Sequence, residues 1–380
     1  MSSHPSSDAA LPADAPPDMV GEPMETQPLG MNDISMLSGL SAHPNEPVIG
    51  KLNGIGETRD LVPRDLFARL VTSHQDIVKR FEDFHITAVR FDLCDRQSTG
   101  PCLEGADGSI RLVLQTQMPP SFHVEEVGLH AFFSIPAADL ASVVNELRAI
   151  ARISHIAVTG ALEVRGFPVE ATARLRALLA RYARPERLIR LSLLGQDERS
   201  SSLRIVFRGV ELHDGQFVDQ IVATTGATEQ VVTGEGLDGL DPSYQVTPVV
   251  DSPVGFVTAL TAAAFNAAAP VTQRASLDAL VATENPQLHT MGSVQCAACH
   301  TATYLSVHRA QIASIDLGSM PSRYATTRDV IVTGGNSASQ PGSLHAFSWL
   351  SFDTEISHRV ANETAKVLDE IERRFPVPHS

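Results

Sequence analysis

Lysine is almost missing from this chain. Of its 29 Lys and Arg residues only three are Lys: Lys51, Lys79 and Lys366. A GC-rich coding sequence explains that bias without any function. Acidic residues outnumber basic ones, and the formal net charge is −15. That excludes nucleic acid and an anionic membrane surface as main partners, because both require a positive face. Long apolar runs are also lacking. The most apolar stretch, 254–269, is interrupted by Thr258, Thr261 and Asn266. A bilayer span needs about twenty mostly apolar residues, so this stretch reads as a core helix. The residues after Met1, Ser-Ser-His-Pro-Ser-Ser, form neither a basic nor an apolar signal segment. No G-x-S-x-G, H-E-x-x-H, Walker A or EF-hand pattern occurs, and no spaced pair of carboxylates stands out as acid and base. Nothing here points to an enzyme.

Cysteine is scarce, with four in 380 residues, and its placement is therefore informative. Cys94 and Cys102 flank a seven-residue loop that can close as a disulfide with little strain. Cys296 and Cys299 belong to Cys296-Ala297-Ala298-Cys299-His300, a C-x-x-C-H sequence. With four Cys and fourteen His, roughly one chain in a thousand would show this by chance. Two thiols at this spacing can add across the two vinyl groups of one porphyrin. The adjacent imidazole then falls under the iron as its axial ligand.

This pentapeptide resembles the haem-attachment box of c-type cytochromes. The resemblance covers five residues and at most the last hundred. It implies haem c held by Cys296 and Cys299, with His300 on the iron. A sixth ligand would be Met or His, and Met320, His308, His345 and His289 are candidates by sequence position. It further implies an extracytoplasmic, mono-haem protein for electron transfer or haem-based sensing, with a redox protein as partner. Attachment of haem c and closure of Cys94–Cys102 both belong to an oxidising compartment, periplasmic or cell-surface. Such a protein would need a leader before Met1, and a lipid anchor carried by that leader would be its membrane attachment. The absence of a visible leader instead favours the cytoplasm. The competing reading is a structural or binding protein. In it, Cys296, Cys299 and His300 bind zinc together with His308 or His289, or the two thiols form a disulfide.

Residues 1–50 hold no Lys or Arg, seven Asp or Glu, and eight Pro. That composition predicts a disordered acidic leader. Residues 51–250 read as an α+β domain with a mixed or antiparallel sheet. Strands are expected at 86–92, 110–115, 127–135, 188–194 and 203–212, and helices from Pro136 and over 168–182. Residues 251–380 read as a mainly helical region carrying the C-x-x-C-H motif. Its last helix, 356–375, is expected to pack on that motif. Gly234-Glu235-Gly236-Leu237-Asp238-Gly239 matches G-x-G-x-x-G but is followed by a turn-forming Leu-Asp-Pro-Ser, so it reads as a loop. His130, inside a strand, reads as a packed histidine.

Overall fold

The computed structural model describes residues 28–40, 49–55, 59–71, 81–93, 105–118, 123–154, 160–196, 204–223, 225–235, 243–248, 255–290, 292–332, 344 and 346–377. Cys94, Cys102 and His345 lie outside them. So do residues 236–239 of the glycine-rich segment, which joins two antiparallel strands.

A ten-stranded mixed sheet forms the frame. Its strands are β1 (Ser35–Ser38), β2 (Phe84–Asp92), β3 (Gly108–Met118), β4 (His123–Ile135), β5 (Val164–Arg165), β6 (Leu188–Gln196), β7 (Arg204–His213), β8 (Gln216–Asp219), β9 (Glu229–Glu235) and β10 (Ser243–Thr247). They run in the order β10-β9-β7-β6-β4-β3-β2-β1-β5, with β8 also paired to β7. Among the described residues only β1 and β5 pair in parallel. A separate hairpin, β11 (Phe347–Leu350) and β12 (Asp353–Ile356), packs near β2, β3 and β4. Nine α-helices occur among the described residues: α1 (Met31–Ile34), α2 (Arg64–Val71), α3 (Leu140–Ser154), α4 (Val169–Tyr182), α5 (Phe256–Leu260), α6 (Ala262–Ala267), α7 (Pro270–Glu284), α8 (Cys296–Ala313) and α9 (His358–Arg374). The architecture is α+β. None of these helices is long and apolar enough to cross a membrane.

Alternation decides which way each strand faces. Ile110, Leu112 and Leu114 of β3, with Leu129, Ala131 and Phe133 of β4, point to one side and are fully buried. The buried faces of α3 (Leu140, Val143, Val144, Leu147, Ile150) and α4 (Leu175, Leu178, Leu179) complete that core. Their spacing of three and four residues is the apolar stripe of a surface helix.

Two sequence expectations meet a different outcome. Residues 28–40 belong to the fold rather than to a leader. Met31, Ile34, Met36 and Leu37 are buried, and β1 pairs with β2 and β5. Composition averaged over fifty residues conceals this short apolar run. The stretch 254–269 is two helices rather than one. Thr261 is extended (φ −115°, ψ 137°) and its hydroxyl accepts the Ala264 N–H, so it ends α5 and caps α6. Just before α5, Gly255 has φ +124°, and a Cβ there would lie 2.8 Å from Ser276 Cα. Glycine alone fits that approach.

The C-terminal region does not stand apart from the sheet. Phe347, Trp349, Val360, Leu368 and Ile371 share the apolar cluster of the first strands. The last helix, α9, also docks on α8: the His358 N–H donates to Thr303 Oγ1 (3.1 Å). Thr303 donates in turn to the buried carboxylate of Glu284 on α7 (2.6 Å).

Candidate functional site

Helix α8 begins on the C-x-x-C-H motif itself. Gln295 at its N-cap is extended and offers no side-chain cap. The job falls to Gln230 of β9, which is fully buried. Its Oε1 accepts the Ala297 N–H (2.9 Å), and its Nε2 donates to Gln295 Oε1 (2.9 Å). This satisfies one of the helix's orphan donors from a neighbouring strand. Residues at i, i+3 and i+4 share one helical face. Cys296, Cys299 and His300 therefore turn together into one cleft between α8 and the sheet. With its open mouth, the cleft holds about 780 Å³ not filled by atoms. A neighbouring hollow of about 890 Å³ shares Arg190, Val294, Gln295 and Cys296 with it.

The opposite wall is the second face of the sheet. Register aligns one row of residues across five strands: Arg90 faces Arg111, Arg111 faces Phe132, Phe132 faces Arg190, and Arg190 faces Glu211. The guanidinium carbons of Arg111 and Arg190 lie 5.2 and 5.5 Å from the Phe132 ring centre, within cation–π range. The next row sets Val113, His130, Ser192 and Gly209 side by side. A Cβ on Gly209 would stand 2.5 Å from Gln220 Oε1 and 3.0 Å from Ser192 Oγ, so a side chain there would crowd that wall.

Four guanidiniums (Arg111, Arg190, Arg208, Arg359) and one carboxylate (Glu363) line the cleft. Arg208 pairs with Glu229. Glu363 is bonded to Arg359 (2.6 Å) and to Arg90, and it lies 3.5 Å from Arg111. Arg90 also holds Asp92 at 2.6 Å. Arg359 further donates to the carbonyls of Thr283 (3.0 Å) and His289 (2.9 Å). Burial alone would raise the Glu363 carboxyl. Arg359, Arg90 and Arg111 together outweigh burial and hold it well below the usual carboxylate range. Burial depresses the Arg190 guanidinium, with Glu211 and Cys296 opposing. An arginine stays charged nonetheless, so the cleft carries a positive field.

Both motif thiols are free. Burial pushes Cys299 up to about 11 and also raises Cys296, against the pull of Arg190. Neutral thiols are poor nucleophiles and poor redox centres, so the pair is not poised as a thiolate catalyst. His300 is differently prepared. Its Nδ1 is hydrogen-bonded to the Leu344 carbonyl. A carbonyl only accepts, so Nδ1 carries the proton and Nε2 keeps its lone pair. That backbone tether is the common support of a metal-ligating histidine.

The other sequence candidates are placed elsewhere. His308 lies two turns further along α8, edge-on to Tyr304 at 4.4 Å between ring centres. Met320 is buried in the apolar cluster of α5, α7 and α8. His289 precedes the motif, and burial lowers its pKa, as does Arg359. None of these three lines the cleft. No group of three or more His, Cys, Asp or Glu among the described residues is arranged to hold a metal ion, so the zinc set is not assembled there. Sequence reading did not reach Arg111, Arg190, Gln230 or Glu363, whose only signal was polar residues inside otherwise apolar strands and helices. No family model matches this chain, and no curated protein or solved structure matches it either.

Proposed function

We propose that this chain is an extracytoplasmic mono-haem protein of c type, serving electron transfer. One observation carries the reading: Cys296, Cys299 and His300 share one wall of a cleft, and the His300 ring is oriented by the Leu344 carbonyl at Nδ1. When bound, haem would supply reversible one-electron chemistry. The chain's own residues do the rest. Cys296 and Cys299 would anchor the porphyrin, and His300 would ligate the metal. Phe207, 4.9 Å from the His300 ring centre, and Phe132 supply apolar surface. Arg111 and Arg190 offer the positive charge that the two porphyrin carboxylates require. A redox protein would be the partner, and an oxidising compartment the location.

The experiment is production of the chain with an export leader and a cytochrome c maturation system. A pyridine haemochrome spectrum of the denatured protein is expected to show one covalent haem. Cys296→Ala with Cys299→Ala should abolish it. Protein that matures without covalent haem, or carries one zinc and no Soret band, overturns the proposal.

A further inference from the structure

The strand position of His130 predicts an ordinary packed histidine, and its surroundings say more. On β4 it sits between Leu129 and Ala131, both fully buried on the opposite side of the sheet. His130 itself is only partly buried and lines the cleft opposite the motif helix. Its ring centre lies 6.2 Å from that of His300, with the ring planes 32° apart. Metal–nitrogen bonds of about 2 Å on each side, plus the radius of each ring, put two imidazoles on one metal roughly 6 Å apart, centre to centre. The other sequence candidates in the described residues fail on position. His308 shares a helix with His300 and cannot oppose it, and Met320 lies outside the cleft.

We infer that His130 is the second axial ligand of the iron that His300 binds. The inference rests on the haem reading above and specifies it. Two strands hold the ligand in place: His130 pairs with Val113 on β3 and with Ser192 on β6. A central strand is a rigid mount, so the ligand is fixed before the cofactor arrives. Two consequences follow. With both axial positions taken by imidazole, no site is left for oxygen or peroxide, and the protein is an electron carrier rather than a haem enzyme. Without an axial thioether, its reduction potential falls below that of carriers with Met and His ligands.

Matured wild-type protein, His130→Ala, His308→Ala and Met320→Ala are compared by optical and electron paramagnetic resonance spectroscopy. Wild type is expected to be low-spin and inert to carbon monoxide. His130→Ala should keep its covalent haem, turn high-spin and bind carbon monoxide in the ferrous state. Added imidazole should return it to low spin, which shows that the variant is folded and lacks only the ligand. His308→Ala and Met320→Ala should stay low-spin. Covalent haem that remains low-spin in His130→Ala overturns this inference alone. So does a switch to high spin in the Met320 or His308 variant. No covalent haem in any of the four proteins overturns the haem reading, and this inference with it.

Discussion

The two faces of the sheet are built from the same strands and obey different rules. On one face β3, β4 and β6 contribute Ile110, Leu112, Leu129, Phe133 and Leu191, closed over by α3 and α4. On the other they contribute Arg111, His130, Phe132, Arg190 and Ser192, roofed by α8, α9 and the segment before α8. Adjacent residues of one strand thus serve opposite purposes. The apolar face gains stability from each buried methylene. The polar face gives up that gain: a buried ion network costs desolvation and is often no more stabilising than apolar packing. Here that network lines the cleft beneath α8 and α9.

Four results would sharpen or break this contrast. The largest effect is expected at Glu363. Glu363→Ala leaves Arg359, Arg90 and Arg111 facing one another, and loss of one partner from a buried network costs about 3–5 kcal/mol. Urea unfolding measures it. A loss under 1 kcal/mol would mean that water already screens the network. On the apolar face, Leu129→Ala should cost about 2–5 kcal/mol by cavity formation. Its neighbour His130→Ala should cost only about 1 kcal/mol, since that side chain borders open space. Equal losses at 129 and 130 would erase the distinction between the faces.

A further test is in pH. His85 on β2 is buried near Lys51, and burial, then Lys51, lower its pKa to about 4 from 6.5. Its folded form binds protons less readily than its unfolded form. The stability it contributes is therefore complete above about pH 6.5 and declines as pH falls toward 4. Glu363, also depressed, adds a loss of the same sign at still lower pH. Unfolding free energies at pH 7 and pH 5 should differ in this direction, and His85→Gln should reduce the difference. His358, buried but raised in pKa by Glu284, acts in the opposite direction, so the deciding result is the variant: an unchanged pH dependence in His85→Gln would refute the assignment.

Much of the strand and helix pattern was legible because it is local. Residues 127–135 alternate, and 140–151 repeat at helical spacing, so β4 and α3 could be read directly. The entry of 31–38 into the sheet was not legible. Its four apolar residues sit in a fifty-residue stretch whose Pro and acidic residues dominate the average, and pairing with β2 and β5 makes 35–38 a strand. The end of α5 at Thr261 was hidden because threonine in an alanine-rich run signals a cap only once the backbone turns there. In the candidate site, the motif announced itself because three chemically distinctive residues lie within five positions. Its surroundings did not, because an arginine in a strand looks the same whether it faces water or a cleft.

Two thiols and an imidazole within five positions were plain in the chain before folding. The acidic balance of the chain, five of the described strands and the helices over 140–154, 169–182 and 358–374 were equally local. Tertiary structure alone decided what that face meets. His130, Arg190 and Gln230 reach α8 from strands up to 170 residues away in sequence, aligned by cross-strand register. Register is set by hydrogen bonding between strands and by burial of one face, and neither is written in any local stretch of the chain.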